Sequence, residues 1–242
     1  MSELKGKASE SGLTINFKRT KRLVKKHDET VTKTPSKDDD IETVTQATYL
    51  GQQIAFENRT EIEINTRISK AWSKYWSLKY IFKGPFKNHH KSQVFNMCVI
   101  PSLTYGCQTL PLTVQNLNKI KVAQNSIERS MLNLKIKDKV KLSHIKNQLC
   151  ENINAVNHVR KLKWKWAGHV ARLKDDRWTH KTTFWYLTHM KRKQGRQATR
   201  WSDDINNFLA TKNFQKIASD RKEWDRLQET FAHFGPRIHR IN

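Results

Sequence analysis

Between Lys161 and Ile205 cationic and indole side chains alternate: KLKWKWAGHVARLKDDRWTH, an aromatic run, then KRKQGRQATRWSDDI. From Arg160 to Arg200 there are thirteen Lys or Arg against two acids, Asp175 and Asp176. Cations at this density suit a polyanion, and indole faces offer platforms on which bases or guanidinium groups stack. Lys161, Lys163, Lys165, Arg172, Lys191, Arg192, Lys193, Arg196 and Arg200 are the candidates for phosphate contact. For Trp164, Trp166, Trp178, Trp185 and Trp201 the competing reading is core packing. Helical periodicity places Trp166 on an apolar face and Trp164 off it, so Trp164 is the candidate for stacking.

Phosphoryl transfer would need something else: carboxylates held around two divalent metals. Asp38-Asp39-Asp40 is the only acidic triplet. Adjacent aspartates repel, and no apolar strand holds these, so they read as a solvated acidic loop. Asp175-Asp176 and Asp203-Asp204 read as turn and helix-start residues. His158, His169, His180 and His189 lie about ten residues apart, which matches no compact zinc ligand set, and no metal site is assigned. The chain thus has groups to hold nucleic acid and no evident set to cut or extend it.

The elements that must position these side chains are mostly helical. Ile64, Ile68, Ala71, Tyr75, Leu78 and Phe82 recur at spacings of three and four, one helix face that Gly84-Pro85 should stop. Arg67, Lys70, Lys74 and Lys79 ride on the same stretch and are candidates for backbone contacts to a duplex; a solvated charged face is the alternative. Further helices are expected over 88–100 (ended by Pro101), 113–134, 142–149 and 153–173, and 182–187 is strand or helix. Ser202 should cap a helix begun by Asp203 and Asp204, and a last helix over 214–234 should close at Gly235-Pro236. Near the N-terminus, Leu13, Ile15 and Phe17 alternate as a strand would, 18–40 reads as a polar loop, and 48–54 reads as a strand or tight hairpin around Gly51. A lone strand cannot bury its face, so this region reads as a piece of a larger sheet.

Composition agrees. The 242 residues carry a formal net charge of +24, which opposes compaction unless a partner neutralises it. Nucleic acid is the usual partner at such a balance. An anionic membrane is the competitor, but 153–173 mixes Asn154 and Asn157 into its apolar side, and no apolar run approaches 18 residues. No signal peptide is evident, and Cys98, Cys107 and Cys150 are odd in number and widely spaced, as free thiols of a reducing compartment would be. A nuclear or cytoplasmic, non-secreted protein is expected.

Several phrases resemble one family. Gly12-Leu13-Thr14-Ile15-Asn16-Phe17-Lys18-Arg19-Thr20-Lys21 is similar to the segment that follows the catalytic carboxylates in non-LTR retrotransposon reverse transcriptases. Tyr49-Leu50-Gly51 resembles the primer-grip hairpin, and Ile100-Pro101-Ser102-Leu103-Thr104-Tyr105-Gly106-Cys107-Gln108-Thr109 resembles a thumb segment. Leu162 to Arg172 (LKWKWAGHVAR) and Gly195 to Ile205 (GRQATRWSDDI) resemble two phrases of the C-terminal tail. In order and spacing they resemble the RTE/BovB-like endonuclease–reverse transcriptases over roughly residues 6–235. Gln197 stands where that family usually has Pro, and Leu110 where it has Trp.

The resemblance implies a mainly α chain: a helical thumb-like bundle with a small β remnant of the reverse transcriptase palm at its N-terminus. Its expected regions are 1–56 (palm remnant with the primer-grip-like hairpin), 57–150 (thumb) and 151–242 (basic, Trp-rich tail). The parent activity is RNA-directed DNA polymerisation, which uses Mg2+. The family's metal-binding aspartates and its endonuclease would precede Met1, so this chain is expected to bind an RNA or DNA template-primer duplex, to hold no cofactor and not to polymerise alone. The other readings are a non-functional retrotransposon remnant and a host-adapted protein-interaction module.

Overall fold

Helices form where apolar residues recur at three and four, and the longest of these sets the frame. The structure, a computed structural model, describes residues 2–16, 19–25, 41–149, 152–174, 177–185 and 199–235. The chain is mainly α and divides into two compact units, 1–63 and 64–242.

In the first unit, α1 (Ser2–Glu10) is a polar helix that the alternation at 13–17 did not signal. Lys7 pairs with Glu3 at 2.9 Å, the i,i+4 spacing that supports isolated helices. Among the described residues the expected strand does not form: 13–16 are irregular and Leu13 is exposed, while Phe17 lies outside them. The extended pairing falls later instead. β1 (Lys21–Leu23) runs parallel to β2 (Glu42–Val44), with Lys21 opposite Glu42 and Leu23 opposite Val44. β3 (Gln46–Tyr49) and β4 (Gln52–Ala55) make the expected hairpin. Its two-residue turn holds Leu50 at φ 47° and Gly51 at φ 80°. Positive φ at both central positions matches the twist of a tight hairpin.

The second unit is built on α2 (Arg59–Ser77), which begins in the first and carries the stripe Ile64, Ala71 and Tyr75 into the core. It stops at Leu78, before Gly84-Pro85, and one more turn, α3 (Lys79–Phe82), buries Phe82. Next come α4 (Asn88–Val94), a π-helical turn over Phe95–Val99, and α5 (Ile100–Thr104). Pro101 therefore does not end this helix. The wider turn shifts the hydrogen-bond ladder just before the residue that lacks an N–H, and Pro101 sits in the first turn of the next segment, where no donor is needed.

Thr113 caps α6 (Val114–Met131) by accepting from the Asn116 N–H at 3.3 Å. α7 (Leu142–Gln148) follows, and then α8 (Ala155–Ala171), capped by Asn154. The ambiguous segment near 182 lies partly in a helix, α9 (Trp178–Phe184). Ser202 precedes α10 (Asp203–Phe208) without capping it: its backbone is already helical, and the Asp203 carboxylate instead turns back to accept from the Arg200 N–H at 2.7 Å. The expected last helix is two: α11 (Gln215–Ala218) and α12 (Arg221–Phe234), the latter capped by Asp220.

Two apolar clusters fill this unit. One gathers α2 to α7 around Tyr75, Phe82, Phe95, Leu103, Ile127 and Ile145. The other gathers Trp164, Phe208, Phe214, Trp224 and Phe231. Helix α8 serves both, with Ala155 and Val159 in the first and Trp164, Ala167 and Ala171 in the second. The segments expected to be thumb and tail therefore share one body.

Candidate nucleic-acid interface

The tail phrases that look most like a binding motif fold inward. Trp164 is fully buried. Its ring stacks on Trp224 with centroids 3.8 Å apart and planes 12° from parallel. The indoles also exchange hydrogen bonds: Trp164 Nε1–H donates to the Trp224 carbonyl at 2.9 Å, and Trp224 Nε1–H to the Trp164 carbonyl at 3.1 Å. This stacking on a base is thereby closed off, and the two tryptophans reverse their expected places: Trp166 is the partly exposed one.

Small residues decide the reversal. The helix buries Ala155, Ala167, Gly168 and Ala171, which a search for large apolar side chains passes over. At Gly168 a Cβ would run into the Trp224 ring, with Cδ1 at 2.7 Å. Glycine lets α12 approach closely.

Lys163 is buried as well. Its Nζ reaches both carboxylate oxygens of Asp204 at 2.8 Å and lies 5.2 Å from the centre of the Trp201 ring. Burial pushes its pKa down against the opposing pull of Asp204 and Asp203. Trp201 Nε1–H donates to the Gln108 carbonyl at 2.7 Å. The segments around Gln108, Lys163 and Trp201, three of the recognisable phrases, thus converge on one another and form the joint between the clusters.

Other cations expected at a ligand are engaged too. Lys161 pairs with Glu229 at 2.8 Å, and Arg172 Nη1 donates to the Ala218 carbonyl at 2.8 Å. Arg67 is buried, with its guanidinium 4.8 Å from the centre of the Tyr105 ring. Arg67 is thus held inside the fold, whereas Lys161 and Arg172 are partly buried and make contacts within the chain.

What remains outward is the polar side of α2 and α3. Lys70, Lys74 and Lys79 are exposed, as are Lys165 on α8 and Arg200 before α10. No described carboxylate forms an ion pair with Lys70, Lys74 or Lys79. Aromatic rings lie along the same stretch: Trp76 is half exposed and Tyr80 is 69% exposed. Neither was singled out from the sequence, although both fall off the apolar stripe of Ile64, Ala71, Tyr75 and Phe82. In the first unit Tyr49 and Leu50 are exposed at the hairpin tip, and the Gln53 N–H donates to the buried Glu63 carboxylate at 2.5 Å. Lys191, Arg192, Lys193 and Arg196 lie outside the described residues, as do Asp38–Asp40.

Among the described residues no three His, Cys, Asp or Glu side chains gather as metal ligands would. Asp203 and Asp204 are spent on a backbone N–H and on Lys163. Among them, too, no helix is long and apolar enough to cross a membrane.

The chain is similar to a transposon-derived, uncharacterised protein of Caenorhabditis elegans, 29% identical over 238 residues, which covers 93% of this chain and 85% of that protein. No protein-family model matches the chain, and no solved structure matches it.

Proposed function

We propose that this chain derives from a non-LTR retrotransposon reverse transcriptase and clamps a nucleic-acid duplex, RNA–DNA or RNA, by its backbone. The similarity to a transposon-derived protein supports the origin. One observation carries the binding: on α2 and α3 the stripe Ile64, Ala71, Tyr75 and Phe82 is buried, while Lys70, Lys74 and Lys79 point outward without a described carboxylate partner, on a chain of net charge +24. Cations held on a rigid helix and left unneutralised attract phosphates without choosing a sequence. Lys165 and Arg200, with Lys191, Arg192, Lys193 and Arg196, extend the basic character through the tail. The hairpin tip at Tyr49-Leu50-Gly51 is assigned to the primer end by resemblance, since glycine permits close approach of a backbone.

The test is fluorescence anisotropy of a labelled RNA–DNA hybrid across a salt series. Log affinity should fall linearly with log salt, by about 0.9 per phosphate contacted. Reversing the charge of Lys70, Lys74 and Lys79 together should weaken binding and flatten that slope by roughly three. A slope unchanged by the triple substitution would overturn the assignment of this face.

A further inference from the structure

At the end of α2 the chain makes a recess of which the duplex reading uses only Lys79. Leu78 leaves the helical track at φ −107° and ψ 23°, and the single turn of α3 follows. Ser77, Lys79, Tyr80, Lys83 and Gly84 line a shallow, open depression. Lys79 and Lys83 both belong to its lining.

Lys83 is held in place. Its Nζ donates to the Ser130 carbonyl and, at 2.9 Å, to Asn133 Oδ1. Both acceptors are neutral, so the positive charge stays uncompensated, and an ammonium has a third donor to give. Burial, then the nearby charges of Lys91 and Lys79, hold its pKa below the usual lysine value. No described carboxylate pairs with Lys79, Lys83 or Lys91. Lys79 and Lys83 therefore line the recess without a described carboxylate beside them.

The Tyr80 ring beside them is 69% exposed and belongs to neither apolar cluster. Among the described residues it stacks on no other ring. The backbone under it is tight: a Cβ at Gly84 would strike the Tyr80 carbonyl and come within 3.1 Å of the Phe86 ring. The recess thus combines a close backbone approach at Gly84, an exposed ring and two lysines.

We propose that this recess is a subsite for one unpaired nucleotide of a single-stranded segment, with its base on Tyr80 and its phosphate at Lys79 and Lys83. A duplex offers phosphates but keeps its base faces stacked, whereas an exposed ring beside cations matches an unpaired base attached to its own phosphate. The inference rests on the nucleic-acid reading above and adds to it the form of the strand.

The experiment compares the full chain's affinity for a blunt RNA–DNA hybrid with that for the same hybrid bearing a short single-stranded tail, the tail carrying 2-aminopurine. The readout is the ratio of the two affinities. Wild type should favour the tailed hybrid by about tenfold, as stacking of one base would give, and should change the 2-aminopurine fluorescence. Tyr80→Ala should bring the ratio to one and remove the fluorescence change, and Tyr80→Phe, which keeps the ring, should retain both. A ratio near one in the wild type, or a preference that survives Tyr80→Ala, overturns the subsite while blunt-hybrid binding keeps the duplex reading. Absence of binding to either hybrid overturns both.

Discussion

Lys163 and Asp204 share an ion pair but not an environment. The lysine side chain is 3% exposed and the aspartate 23%. A buried pair recovers its desolvation cost only when geometry and further hydrogen bonds are favourable, and removing one partner is costly because the other is left charged and dry. Here only one partner is dry. Asp204→Ala strands an ammonium among Trp201 and the helix backbone and should cost about 3 kcal/mol. Lys163→Met keeps the apolar stem and leaves a carboxylate that still reaches water, so its cost should be about 1 kcal/mol. Chemical denaturation of the two variants checks the order; equal losses, or the reverse, would mean that water reaches Lys163 in the native state. In the sequence Lys163 was indistinguishable from Lys70, since both sit in basic helical stretches. Only the approach of α10 separates a cation that joins elements from one that faces solvent.

At the scale of elements, the period of three and four located α2, α6, α7 and α8 because each buries large apolar residues on one side. The hairpin was legible from Gly51. What escaped had other causes. Helix α1 has no apolar stripe, the π turn at Phe95–Val99 is a backbone adjustment around Pro101, and the break at Leu78 leaves no mark in composition. On α8 the signal was carried by small residues, and the outcome was a misplaced Trp164. Gly168 states this as a prediction. A Cβ there meets Trp224 Cδ1 at 2.7 Å and Arg172 Nη1 at 3.0 Å, and the indole cannot retreat because its N–H is bonded to the Trp164 carbonyl and its ring is stacked. Gly168→Ala would ordinarily favour a helix by about 1 kcal/mol. Overpacking should win, for a net loss of about 2 kcal/mol. Thermal denaturation checks the sign, and a raised melting temperature would show that α12 slides outward freely.

The whole molecule turns on what α8 joins. Its N-terminal half packs into the cluster of Tyr75 and Phe82, and its C-terminal half into the cluster of Trp164 and Trp224. Between 152 and 155 the linkage is polar: Gln124 donates to the Ile153 carbonyl at 2.9 Å and accepts from the Ala155 N–H at 2.8 Å. The fully buried Glu128 accepts from the Gln124 and Asn152 side-chain amides and from Lys146. A cut at residue 150 would open the first cluster at Ala155 and Val159 and leave Gln124 without its backbone partners. It would also take the Gln108 carbonyl from Trp201. Buried polar groups that lose their partners cost about 1–3 kcal/mol each, a large share of the 5–15 kcal/mol that holds a domain. Residues 57–150 and 151–242 made separately should therefore show weak, non-cooperative melts, and 57–242 should unfold in one transition. Circular dichroism of the three pieces decides this. If either half melts cooperatively by itself, the apolar clusters are independent domains, and α8 is a connector with no shared core.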